Sequence, residues 1–288
     1  MAWTLDTLTP AFGIELSGQR LNDPALPQSE KQAVFDAVTS HGVAVVRGQD
    51  LSDDDIYAFA CSVGTVIENT SYAKDANSVE QQKVFRISNL DKHGEILPAD
   101  DWMNQQNSAN ERWHIDSTYL KPWHFVSMLY GKEVPPEGAD TQFSDTRLLW
   151  EALSPEEQAR FEGRTAQHSL YQSRRLAGFV EWSETDQGRF GPVERPLVAV
   201  HPPSGRKALW IASHIESISG MDDDEAVALV AELSERLTAP ERCYSHHWQQ
   251  GDLLIWDNRA VMHRATPYKV DTYRRDMRTV RLVDLEDA

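Results

Sequence analysis

Two histidine-bearing segments, separated by about half the chain, constrain this protein more than any other feature. Near the middle stands Trp113-His114-Ile115-Asp116, and near the C-terminus Trp256-Asp257-Asn258-Arg259-Ala260-Val261-Met262-His263-Arg264. In the first, an imidazole and a carboxylate lie two residues apart, which on a strand places both on one face. The second follows a strand-like run, Leu253-Leu254-Ile255-Trp256, and supplies one more imidazole. Two imidazoles and one carboxylate leave several coordination positions of a cation open, the ligand set with which non-haem Fe(II) oxygenases activate oxygen. Arg274 and Arg278 follow His263 by eleven and fifteen residues. Guanidinium is the group best shaped to grip a carboxylate with two parallel bonds. A metal triad followed by two carboxylate clamps reads as an oxygenase that takes acidic ligands.

Each motif alone has a plainer reading. A His-x-Asp triplet arises easily by chance in a chain with 10 histidines and 45 acidic residues. His263 alone would be a satisfied core histidine, and the two arginines a solvated strand face. The joint order and spacing separate the pattern from chance. His246-His247, Cys243 and His168 compete as ligands, but none has a partner at metal-binding spacing, and adjacent histidines on a strand point to opposite faces. They read as structural; His214 reads as a residue lining the substrate pocket.

The net charge of −17, with a pI near 4.9, argues against nucleic acid or an anionic membrane surface as a partner, since both require a basic footprint. It also repels acidic substrates at long range, so the arginines must create a positive pocket within a negative molecule. Apolar runs extend for only a handful of residues, too few for a membrane-spanning helix. The first residues, MAWTLDTLTPAFGIEL, lack the basic and apolar regions of a signal peptide. Two cysteines, Cys61 and Cys243, make no disulfide framework. The expectation is a cytoplasmic protein, with Asn69-Thr70-Ser71 a chance glycosylation sequon and homo-oligomer formation left open.

Ser29-Glu30-Lys31-Gln32 predicts a capping box and a helix that stops at Gly42. Val43 to Val46 predicts a buried strand. A second helix runs from Ser52 to Gly64, a third opens at Ser154-Pro155 and stops at Gly163, and a fourth spans about 223–237. Short strands are expected at Phe125 to Tyr130, Thr141 to Phe143, Leu197 to Val200, Ala208 to Ile211, Cys243 to Trp248, Leu253 to Trp256 and Arg278 to Val283. Short strands between turn signals such as Gln250-Gly251-Asp252 suggest a mainly β sandwich or jelly roll with peripheral helices. The polar, aperiodic stretches 69–112 and 171–196 predict active-site loops. No repeat or linker divides residues 1–288, so one domain is expected.

Together these motifs carry a resemblance. Trp113-His114-x-Asp116, Gly138-Ala139-Asp140-Thr141, Gly251-Asp252 through Trp256-Asp257-Asn258-Arg259, His263-Arg264 and Arg274 to Arg278 resemble the taurine dioxygenase/2,4-dichlorophenoxyacetate dioxygenase family of Fe(II)- and 2-oxoglutarate-dependent enzymes. The likeness runs from Gly42-Val43 to Arg281. Val134-Pro135-Pro136 and Asp145-x-Arg147 place the chain nearer the phenoxyacetate branch. The resemblance implies a double-stranded β-helix, with His114, Asp116 and His263 as iron ligands. It implies that Thr141 and Arg274 bind the far carboxylate of 2-oxoglutarate, and that Trp256 stands beside that pocket. Arg278 would receive the acidic group of the substrate, with Asn110 a further substrate contact. Ala139 stands where many members carry a second glycine. Oxygen would be consumed, 2-oxoglutarate would leave as succinate and CO2, and ascorbate would stimulate turnover. The expected substrate is a small anion, first an aryloxyalkanoate such as 2,4-dichlorophenoxyacetate, otherwise taurine, another sulfonate or a carboxylate metabolite. A zinc hydrolase or a non-catalytic metal-binding jelly roll would share the triad, but neither needs the arginine pair.

Overall fold

The computed structural model describes residues 2–66, 84–178 and 190–284. Strands β1 (Thr4–Thr7) and β2 (Ile14–Ser17) lead into α1 (Gln28–His41), β3 (Val43–Val46) and α2 (Asp53–Val63). β4 (Phe85–Ser88) and α3 (Trp102–Ser108) precede β5 (His124–Glu133) and β6 (Thr141–Asp145). Next come α4 (Thr146–Glu151), α5 (Pro155–Phe161), β7 (Thr165–His168), α6 (Leu170–Leu176), β8 (Val193–Pro196), β9 (Val198–Val200), β10 (Lys207–Leu209) and β11 (Ile215–Ile218). The chain closes with α7 (Asp223–Leu237), β12 (Cys243–His246), β13 (Leu253–Asp257), β14 (Val261–Ala265) and β15 (Asp276–Val283).

Helix starts follow local chemistry. Ser52 and Asp55 form a reciprocal capping box on α2, and Ser154 and Glu157 form another on α5, each satisfying backbone N–H groups that the first turn leaves unpaired. Asp222 caps α7, whose Ala226, Val230, Leu233 and Leu237 are buried at helical spacing. The capping box expected at Ser29 does not form. Pro27 flanks the helix instead, its carbonyl accepting from Glu30 and Lys31, so Ser29 lies inside the first turn.

One seven-stranded sheet, ordered β1-β2-β3-β13-β5-β15-β4, separates two cores. All its pairs are antiparallel except β2 with β3. On the outer face, Val126, Met128, Leu253, Ile255, Val280 and Leu282 pack with Val34 and Val38 of α1 and Ile56 and Phe59 of α2. On the inner face, Leu129, Leu254, Trp256 and Met277 meet Phe143 of β6 and Val261 of β14. The inner face therefore looks onto the β12-β6-β14 sheet. β13 is buried along its whole length because each face has a core of its own.

The fold is thus mixed α/β with several antiparallel sheets, richer in helix than a mainly β reading anticipates. The stretch expected to be loop at 69–112 contains β4 and α3, and that at 171–196 contains most of α6 and all of β8. Both are too short to give a periodic signal, and β4 forms by pairing with β15, a partner distant in sequence. Residues 67–83, with Asn69-Thr70-Ser71, and residues 179–189 lie outside the described part. No helix among the described residues is long and apolar enough to cross a membrane.

Candidate active site

His114 and His263 are joined through their own backbones. His114 N–H donates to the His263 carbonyl at 2.9 Å and His263 N–H to the His114 carbonyl at 2.8 Å, an isolated antiparallel bridge. His263 also pairs in register with Phe143 of β6, whose ring stacks on its imidazole with centroids 5.7 Å apart. His114 is therefore not within a strand, as its spacing from Asp116 suggested; Asp116 lies in the turn beyond it. The two rings still converge, with centroids 4.2 Å apart. Nε2 of His114 is 3.6 Å and Nε2 of His263 is 3.7 Å from the same oxygen, Oδ1 of Asp116. Among the described residues, His114, Asp116 and His263 form the one such cluster that could hold a metal ion.

The facing sheet aims the carboxylate. Trp256, Ser127 and Arg281 occupy one row across β13, β5 and β15. Ser127 Oγ donates to Asp116 Oδ2 at 2.7 Å, which leaves Oδ1 turned to the histidines. Asn258, fully buried, locks this arrangement. Its Oδ1 accepts from the Asp116 N–H and from Trp256 Nε1, while its Nδ2 donates to the His124 carbonyl and Ser127 Oγ. All the capacity of a buried amide is thus engaged at the site.

The protonation states suit a cation. Burial lowers the pKa of both ligand histidines, His263 to about 3, and keeps them neutral. Burial alone would raise the Asp116 carboxyl, but His263, Arg281 and His114 hold it well below the usual range. The Arg112 carbonyl lies 2.8 Å from His114 Nδ1. A carbonyl can only accept, so Nδ1 carries the proton and Nε2 presents its lone pair. Two neutral imidazoles and an ionised carboxylate, three donors that leave coordination positions of the cation unfilled, fit ferrous iron.

The other expected residues divide sharply. Trp256 is buried with its ring 4.8 Å from that of His263. Thr141 is buried on β6, and its hydroxyl accepts from Trp248 Nε1 at 3.1 Å. His214 is buried edge-on to both His114, at 5.8 Å, and Tyr119, at 4.8 Å. Asn110 stands half-buried in the 3-10 turn Ala109–Glu111 that leads to His114. The two predicted arginine clamps are not brought to the triad. Arg274 precedes β15 and is exposed, bonded to Glu133 and to the Gly94 carbonyl. Arg278 points to the outer face, where it pairs with Asp276 and with Asp53 at the start of α2. Along β15 the inner positions are Met277, Thr279 and Arg281, which leaves Arg278 on the outer face, while Arg274 lies before the strand begins at Asp276.

Sequence reasoning also passed over Ser127, Asn258 and Arg281. Asn258 lies within the Trp256-Asp257-Asn258-Arg259 motif, whereas Ser127, a serine in a long strand, carries no local signal.

Residues 4–281 match the family described as "Taurine catabolism dioxygenase TauD, TfdA family". The chain belongs to this family. It is 35% identical to the alpha-ketoglutarate-dependent 2,4-dichlorophenoxyacetate dioxygenase of Cupriavidus pinatubonensis, with 100% of this chain and 99% of the relative covered. It is 30% identical to the (S)-phenoxypropionate/alpha-ketoglutarate-dioxygenase of Sphingobium herbicidovorans, covering 95% of this chain and 92% of that one. The crystal structure of AAD-2 in complex with Mn(II) and N-oxalylglycine superimposes with a TM-score of 0.89 at 33% identity, covering 100% and 98% of the two chains. As a TauD/TfdA-family enzyme with its triad in place, the protein is an Fe(II)- and 2-oxoglutarate-dependent dioxygenase of a small organic substrate. The zinc-hydrolase and non-catalytic readings fall away.

Proposed function

We propose that this dioxygenase hydroxylates aryloxyalkanoates at the carbon next to the ether oxygen, in one domain whose two facing sheets are the halves of a double-stranded β-helix. The observation that carries the substrate reading is the neighbourhood of His214. It lies between the metal ligand His114 and Tyr119, and Tyr119 packs with Leu170 and Phe190 in a small apolar cluster separate from the main cores. An imidazole next to an apolar wall suits an aromatic ring carrying a short anionic arm. The names of the relatives at 35% and 30% identity point to the same class.

The co-substrate pocket is built from Thr141, Trp256 and Arg275. Because the Thr141 hydroxyl accepts from Trp248, its own proton is left to donate to a carboxylate. Arg275 has no ion pair or side-chain hydrogen bond with any described residue, and burial lowers its pKa, with Tyr268 opposing. The backbone and Cβ of Tyr268 abut Gly138, three residues before Thr141, where φ is +70° and an added Cβ would lie 2.7 Å from the Pro267 carbonyl. A half-buried cation with no acidic partner among the described residues calls for an anion, and the far carboxylate of 2-oxoglutarate fits. Arg281, which together with other charges depresses Asp116, and Arg174, which acts on His114 and His214, bring cationic groups near the triad within a chain of net charge −17.

Bound iron with 2-oxoglutarate and oxygen supplies the oxidising equivalents, releasing succinate and CO2. The protein holds the C–H bond in place and keeps water out. The hydroxylated carbon, bearing an ether oxygen, collapses to a phenol and a keto-acid. The test is a panel of phenoxyacetate, phenoxypropionate, taurine and an alkyl sulfate, following succinate and phenol together. Aryloxy acids should give the highest kcat/KM with one phenol per succinate; faster turnover of taurine or the sulfate ester would overturn the assignment.

A further inference from the structure

Asn89 follows β4 directly, in the stretch that sequence reading could not assign, and is 1% exposed. A buried amide must satisfy both its donor pair and its acceptor. Asn89 does so entirely on the segment that carries Arg275. Its Nδ2 donates to the carbonyls of Val270 at 2.7 Å and Tyr273 at 2.8 Å, and its Oδ1 accepts from the Arg275 N–H at 2.8 Å. Its own N–H donates to the Arg275 carbonyl at 3.2 Å, and the neighbouring Ser88 Oγ donates to the same carbonyl at 2.9 Å. The backbone of Arg275 is therefore held on both sides.

Residues 266–275 form no strand, so no sheet register sets which way Arg275 faces until β15 begins at Asp276. A rotation there would turn the guanidinium away from the interior, since one residue of slip reverses the face of an extended chain. The Asn89 carbonyl also accepts from the Leu97 N–H, and Asn107 of α3 reaches the Ser88 carbonyl, so the bracket is anchored in the segment that runs on to His114.

We propose that Asn89 is a positioning residue for 2-oxoglutarate: it holds the 269–275 turn so that Arg275 faces the co-substrate carboxylate. This rests on the reading of Arg275 given above. The experiment is a double-mutant cycle on Mn(II)-loaded protein, with 2-oxoglutarate binding measured by calorimetry and KM values measured separately on the Fe(II) enzyme. Asn89→Ala should weaken 2-oxoglutarate binding on the order of 10-fold, as loss of an orienting partner does. The KM for the prime substrate should change less than twofold. In an Arg275→Ala background the same substitution should have no further effect on binding, because the group it aims is gone.

Equal loss in both backgrounds would show that Asn89 acts by loosening the fold and would overturn the proposal, as would binding within twofold of wild type. If Arg275→Ala itself leaves binding unchanged, the reading of Arg275 fails, which the cycle reports separately. Should Asn89→Ala not fold, Ser88→Ala removes one bond to the same carbonyl and carries the cycle, with about two- to tenfold weakening expected and no change overturning it.

Discussion

The two faces of β15 belong to different economies within one strand. Outward, Asp276 and Arg278 pair with each other, with Arg86 of β4 and with Asp53 of α2, pinning a helix and an edge strand to the sheet. Inward, Met277 packs in the inner core and Arg281 lies in the row of Ser127, the serine bonded to Asp116, while Arg275, the proposed partner of the co-substrate carboxylate, comes just before the strand. Residues one apart in sequence thus serve stability and chemistry separately. What decides between them is only the direction of the Cβ.

The largest effect should come from the inward side. Arg275→Ala removes a charge-assisted contact of about 1.5–3 kcal/mol and should raise the 2-oxoglutarate KM on the order of 10- to 150-fold, with the fold intact. Steady-state kinetics with 2-oxoglutarate varied would check this; an unchanged KM would merge the two faces again.

Arg278→Met should do the reverse. It leaves Asp276 with Arg86 alone, so urea unfolding should show a loss of about 2 kcal/mol, less than the roughly 3–5 kcal/mol of a buried charge left wholly unpaired. Both KM values should stay within twofold. A selective rise in the substrate KM would return Arg278 to the site.

A smaller effect concerns pH. Burial would raise the Asp276 carboxyl, yet Arg278 and Arg86 hold it below its ordinary value. A depressed carboxylate stabilises the folded state fully above its unfolded pKa of about 4, and that contribution is lost as pH falls through the folded value. Asp276→Asn should therefore flatten the acid side of the stability curve, measured by melting from about pH 5 down to about pH 2. The smallest change belongs to Arg274→Ala: its exposed pair with Glu133 is screened by solvent, and neither melting temperature nor either KM should move measurably.

Where the controlling interactions are local, the chain could be read directly. Ser52 with Asp55, and Ser154 with Glu157, cap their helices across three residues. The apolar run at Leu253 forms a strand as expected. The metal ligands were legible because an imidazole and a carboxylate two apart, with a second imidazole after a buried strand, is a pattern of residue identity. It did not depend on His114 being in a strand, and His114 is not.

Other features depend on partners far away. β4 exists by pairing with β15, and Ser127 matters because β5 places it opposite Trp256 and Arg281 and next to Asp116. The arginines show the boundary most clearly. Their identity and their approximate distance from His263 are written in the sequence, and so is the need for a cation to meet an acidic co-substrate. Which of Arg274, Arg275, Arg278 and Arg281 faces inward is not. Between β14 and β15 the chain runs through a turn held by Asn89, and its length in space cannot be counted in residues. The side chains of an extended chain alternate with a period of two, so the register in which β15 docks on β5 sets the opposite faces of Arg278 and of Arg281 together, whereas Arg274 and Arg275 precede the strand and depend on the turn.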